Sequence, residues 1–129
     1  MSLRNDKKGK GGLRRIYNAF FYSLSGLKSA WIDESAFRQV VLLSVLGICI
    51  APFLSTSWVE CVLLVLSCVL MIICELINSA IENAVDFTSL ELHPFAKKAK
   101  DMGSAIQLCS IVFFLFVWGS FLFCRVWGS

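Results

Sequence analysis

Five polar side chains recur at helical spacing in the stretch CELINSAIENAVD: Glu75, Asn78, Ser79, Glu82 and Asp86. Steps of i, i+3, i+4, i+7 and i+11 place them on one face of a continuous helix. Leu76, Ile77, Ala80, Ile81 and Val85 cover the other side. The same helix starts in an apolar run opened by Trp58. Seventeen residues separate Trp58 from Glu75, which is about 25 Å at roughly 1.5 Å per residue. A hydrocarbon core is about 30 Å thick, so Glu75 falls near one boundary and Glu82 about 10 Å beyond it, among headgroups and water. An ionisable group at membrane depth is costly and reads as functional by default. Glu75, desolvated, can act as a general base. Glu82, reachable by water, can ligate a hard cation such as Mg²⁺, which takes carboxylates together with phosphate oxygens. The structural alternative is that these groups are polar contacts between helices.

Other charged residues fit the same end of the molecule. Glu34 closes the motif Trp-Ile-Asp-Glu (31–34) at the headgroups. It reads equally as a second metal ligand or as a charge at a helix N-terminus. Lys100 and Asp101 stand before the last apolar run. Lys100 can offset phosphate charge, as phosphoryl transfer requires, although spacing alone favours a membrane-boundary anchor. His93, the single histidine, precedes Pro94 in a polar loop and alone says little.

The elements that must position these groups are apolar helices. Of 129 residues, 57% are hydrophobic and 16% charged, too few charges to surface an ordinary soluble domain. Residues 1–12 read as a disordered basic tail; their Gly-Lys lacks the spacing of a phosphate-binding loop. Leu13, Ile16, Tyr17, Phe20, Phe21, Leu24, Leu27 and Trp31 fall on one helical face. Residues 13–33 therefore predict an amphipathic helix lying on the membrane surface, with Arg14, Arg15 and Lys28 toward anionic headgroups. Three spans follow, over 35–54, 57–86 and 102–127, with a cytoplasmic loop at 87–100. The whole of 13–129 reads as one membrane domain. Trp118 and Trp127 can anchor the last span.

Charge sets the topology. Eight of twelve Lys and Arg precede residue 39, and Lys97, Lys98 and Lys100 cluster later. The positive-inside rule puts the N-terminus and that cluster in the cytoplasm, and the Ser55–Ser57 turn and the C-terminus outside. No early apolar segment suggests a secretory signal. The six cysteines lie in apolar runs without a CxxC pair and read as small core- or lipid-facing residues.

The segments AWIDESAFRQ (30–39), ELINSAIENAVD (75–86) and AKDMGSA (99–105) resemble the bacterial integral-membrane diacylglycerol kinases, in order and spacing, over roughly residues 13–127. The resemblance implies an all-α homotrimer in the bacterial inner membrane, each chain with a surface helix and three spans. Composite sites would lie between subunits near the cytoplasmic face. It implies MgATP-dependent phosphorylation of diacylglycerol to phosphatidic acid, with no nucleic-acid partner. By motif position Glu75 matches the general base and Asn78 a polar residue beside it. Glu34 and Glu82 match metal-binding carboxylates that also touch ATP. Arg15, Tyr22, Glu91, Leu92, His93, Lys100 and Asp101 match nucleotide contacts. For the lipid it implies Arg15, Ala19, Tyr22, Ser23, Leu24, Lys28, Ser29, Ala30 and Trp31 on the surface helix. Ala36, Phe37, Arg38, Gln39, Val40, Ser104 and Trp118 join them from the spans, beside Glu75.

Two departures stand out. Pro94 follows His93 where many members carry Gly or Ser, and Val40 sits where relatives can carry a glutamate. Undecaprenol kinases share the Glu-x-x-Asn and Lys-Asp motifs, but DMGSA (101–105) looks more like the diacylglycerol enzymes. A small ion transporter is the reading from another class, and it would need polar residues through the full membrane depth. The stripe instead stops at Glu75, and the last span offers only Gln107, Ser110 and Ser120. A purely structural subunit would leave both carboxylates and the Lys-Asp pair unexplained.

Overall fold

The computed structural model describes residues 12–88, 91 and 93–128. The expected disordered tail lies outside these, apart from Gly12, and so does Leu92. Four helices make up the described chain: α1 (Leu13–Asp33), α2 (Ser35–Leu54), α3 (Trp58–Thr88) and α4 (Pro94–Trp127). The last three are long and apolar enough to cross a membrane. α3 is the central element and packs against both α2 and α4, while α1 meets α2.

The turns between helices follow from particular residues. Between α1 and α2 a single residue, Glu34, is extended (φ −109°, ψ 107°). Its N–H donates to the Ala30 carbonyl at 3.0 Å. Arg38 on α2 reaches back and donates to the carbonyls of Trp31 (2.8 Å) and Ile32 (2.9 Å). These carbonyls belong to the last turn of α1, which has no intrahelical partner for them. Between α2 and α3, Ser57 and Glu60 form a reciprocal cap. The Glu60 N–H donates to Ser57 Oγ, and Glu60 Oε2 accepts from the N–H groups of Ser57 and Thr56. Arg125, near the end of α4, donates to the Leu54 carbonyl at 3.0 Å and ties that helix to the same turn.

α4 begins earlier than the sequence suggests. The segment 94–100, expected in the loop, forms the first turns of this helix. Pro94 occupies the start, where a missing N–H costs nothing. His93 caps it by accepting from the Phe95 N–H at 3.3 Å. Lys97 and Asp101 pair across one turn at 2.6 Å. α3 likewise continues to Thr88. At 31 and 34 residues, these helices run about 46 and 51 Å, well beyond a hydrocarbon core of about 30 Å.

Close packing locks the three long helices together. Gly47 on α2 faces Cys68 on α3 and Trp118 on α4, and a Cβ there would stand 2.7 Å from Cys68 Sγ and 3.3 Å from the indole. Leu64, Cys68 and Ala51 are almost wholly buried around this point.

Candidate active site

The polar face of α3 divides by depth. Glu75 is buried, with 5% of its surface exposed, and Ser79 beside it is equally buried. Glu82, two turns on, is partly exposed. Asn78 lies between them and donates from Nδ2 to Glu82 Oε1 at 3.2 Å. Its Oδ1 is buried without a partner, against Gly103 on α4. The carboxylates of Glu82 and Glu34 are near enough to act electrostatically on Glu75.

Glu34 reaches this face from the α1–α2 corner. Asn83 on α3 donates to Glu34 Oε1 at 2.9 Å and to the Ser79 carbonyl at 2.8 Å. Both bonds use the same amide nitrogen. Around this link lies a cleft of about 510 Å³ between the second half of α1 and α3. Ser23, Ser29, Ala30 and Glu34 line it, opposite Leu76, Ser79 and Asn83. Of the residues expected to contact lipid, Ser23, Ser29 and Ala30 thus share one cavity with Glu34.

Other expected site residues lie elsewhere. Lys100 donates to Asp86 Oδ1 at 3.0 Å, joining the extensions of α3 and α4, and Asp101 pairs with Lys97 instead. Arg38 is engaged with the end of α1. Phe37 is buried at 3% exposure. Trp118 packs on Gly47 within the bundle. It lies fourteen residues, or about 21 Å, along α4 from Ser104. Arg15, Ala19, Tyr22, Glu91 and His93 are outside the cleft lining. Asn83 and Gly103 do not stand out from residue spacing in the sequence. Asn83 carries a faint signal, since it lies four residues after Ser79 on the same helix.

A model of the prokaryotic diacylglycerol kinase family matches residues 21–122, most of the chain. The chain belongs to that family. This kinase-family chain is 53% identical over 111 residues to a diacylglycerol kinase of Helicobacter pylori, covering 86% of this chain and 87% of the relative. A Pseudomonas aeruginosa diacylglycerol kinase is 49% identical over 115 residues, covering 89% and 94%. The Escherichia coli K12 diacylglycerol kinase is 43% identical over 107 residues, covering 83% and 88%. Family membership makes the chain a lipid kinase by class.

The side chains present fit a hard cation. Glu34 and Glu82 offer only oxygen, and each has a carboxylate oxygen held by an amide donor. Among the described residues no group of three or more His, Cys, Asp or Glu side chains could hold a metal by itself. Two carboxylates completed by substrate phosphates is the usual pattern for Mg²⁺.

Proposed function

We infer that this chain transfers the γ-phosphoryl group of ATP to the free hydroxyl of diacylglycerol, giving phosphatidic acid. The observation that carries this reading is a buried carboxylate, Glu75, on the same helix face as the partly exposed Glu82. A site joining a membrane lipid to a soluble nucleotide needs both environments within a few turns. The names of the relatives supply the substrate.

In the proposed reaction the lipid hydroxyl oxygen attacks the γ-phosphorus while its proton passes to Glu75. The bond from the γ-phosphorus to the β–γ bridging oxygen breaks, and ADP leaves with that electron pair. Glu34 and Glu82 would hold Mg²⁺, which when bound supplies charge neutralisation at the phosphates. Asn78 fixes Glu82 through its amide, and Lys100 adds positive charge at the nucleotide end. Most of the rate then comes from positioning and electrostatics.

The proposed setting is the bacterial inner membrane, with the α3–α4 extensions in the cytoplasm and the C-terminus on the far side. Lys97, Lys98 and Lys100 support that orientation. α1 would lie along the membrane surface: Ile16, Tyr17 and Phe20 on it are 68%, 64% and 58% exposed. Three copies would complete the sites, with the nucleotide contacts from Arg15, Tyr22, Glu91, Leu92, His93 and Asp101 shared between neighbours.

The test is transfer of labelled γ-phosphate from MgATP by the purified chain, offered diacylglycerol and undecaprenol separately. Preferential labelling of diacylglycerol is the expected result. Preferential labelling of undecaprenol would keep the chemistry and replace the substrate. Labelling of neither, by folded protein, would remove the kinase reading.

A further inference from the structure

We propose that Asn83 is a positioning residue for the reaction, acting through Glu34; the proposal rests on the kinase reading above. Glu34 is the one non-helical residue between α1 and α2. Nothing in a helix repeat holds its side chain, so its direction depends on what it touches. The contact is Asn83, forty-nine residues later in sequence, at 2.9 Å.

The Asn83 amide is itself aimed. The Ser79 carbonyl, one turn back on α3, accepts from the same nitrogen at 2.8 Å. One N–H anchors the amide to its own helix, and the other points across the cleft to the carboxylate. Asn83 and Glu34 both line that cleft, so the bond bridges its two walls. A hydrogen bond to a carboxylate is charge-assisted and stronger than one between neutral groups. It occupies Glu34 Oε1 and leaves the second oxygen for a cation. The neighbouring position, Glu82, is the other candidate ligand, and its own Oε1 is held by Asn78 in the same way. The two carboxylates are thus each fixed by an asparagine amide from α3. Partners of this kind around metal ligands typically govern affinity by 10- to 100-fold, on the order of magnitude seen across metal sites.

The experiment measures Mn²⁺ affinity by electron paramagnetic resonance, with the full chain in detergent and the non-hydrolysable β,γ-imido analogue of ATP. Asn83→Ala and Asn83→Leu are compared; Leu keeps the branched heavy-atom skeleton of the amide but donates nothing. Both should weaken Mn²⁺ binding by about tenfold. Both should raise the KM for MgATP by a similar factor, with kcat changed less than about threefold. In a Glu34→Gln background, Asn83→Ala should add less than about twofold, because the two residues act as one unit. A merely structural contact would lower thermal stability and leave Mn²⁺ affinity unchanged in both variants, and that result overturns the proposal. Additive effects of Asn83→Ala and Glu34→Gln would also overturn it. Lipid phosphorylation by the unaltered chain is measured alongside. Its absence sinks the kinase reading, whereas its presence with unshifted Mn²⁺ affinity sinks this inference alone.

Discussion

The side-chain amide oxygen of Asn78 occupies the space a side chain on Gly103 would need. A Cβ at Gly103 would stand 2.6 Å from Asn78 Oδ1, with Ile81 closing the other side at 3.5 Å. Separations under 3.0 Å force a shift. Here the side chain that must move holds Glu82 at its other end. Gly103→Ala is therefore expected to cost about tenfold or more in kcat by displacing the amide. Gly119→Ala is the control, because nothing lies within 4 Å of a Cβ there. Steady-state kinetics on both variants decide the matter; equal activity in the two would contradict the packing argument.

Gly47 meets Cys68 and Trp118 in the same fashion, deeper in the bundle. Adding a methyl group to a filled core costs about 1–3 kcal/mol. Gly47→Ala should lower the thermal midpoint in detergent. Cys68→Ala should restore much of that loss, since it removes the sulfur 2.7 Å from the new carbon. An additive double variant would show that the crowding lies elsewhere.

Lys100 and Asp86 form a pair at 3.0 Å, with side chains 40% and 64% exposed. An exposed pair of this kind is worth about 0–1 kcal/mol. Asp86→Asn should thus leave stability nearly unchanged and activity within about fivefold. On the proposed role of Lys100 at the nucleotide, Lys100→Ala should cost far more, about 100-fold or greater, because it removes a positive charge that would offset phosphate charge. Similar losses in both variants would mean that the pair itself, rather than the lysine charge, is what the enzyme uses.

The cap made by Ser57 and Glu60 carries no proposed chemistry. Loss of such a cap costs about 0.5–2 kcal/mol. Glu60→Ala should lower the unfolding temperature and leave KM for both substrates unchanged. Altered KM values would show that the α2–α3 turn communicates with the site.

Much of this arrangement is legible from local pattern. The α3 stripe is visible because its period is that of a single helix and its neighbours in sequence are apolar. The three long helices are visible because their apolar runs match a membrane thickness. The start of α4 is hidden because KKAKD looks like a loop until Pro94, the His93 cap and the Lys97–Asp101 pair are seen together. Arg125 looks isolated near the chain end, although its partner Leu54 sits at the far side of the α2–α3 turn. Asn83 and Gly103 stand out only through residues distant in sequence, Glu34 at the α1–α2 corner and Asn78 on α3, and periodicity within one helix does not encode such contacts. Lys100 shows the opposite failure. Its charge is plain in the sequence, but its partner Asp86 is known only once α3 and α4 are packed.

In the proposed mechanism Glu75 takes the proton from the lipid hydroxyl. Glu75→Gln keeps the shape of the side chain and removes its basicity. The decisive measurement is phosphate transfer from MgATP to diacylglycerol by this variant, with nucleotide binding and thermal stability checked on the same sample. Near-normal binding and folding are expected, with transfer reduced by about 100-fold or more, the upper range for one acid–base group being about 10⁴. Transfer within about threefold of the unaltered chain would contradict it and move the base to another residue.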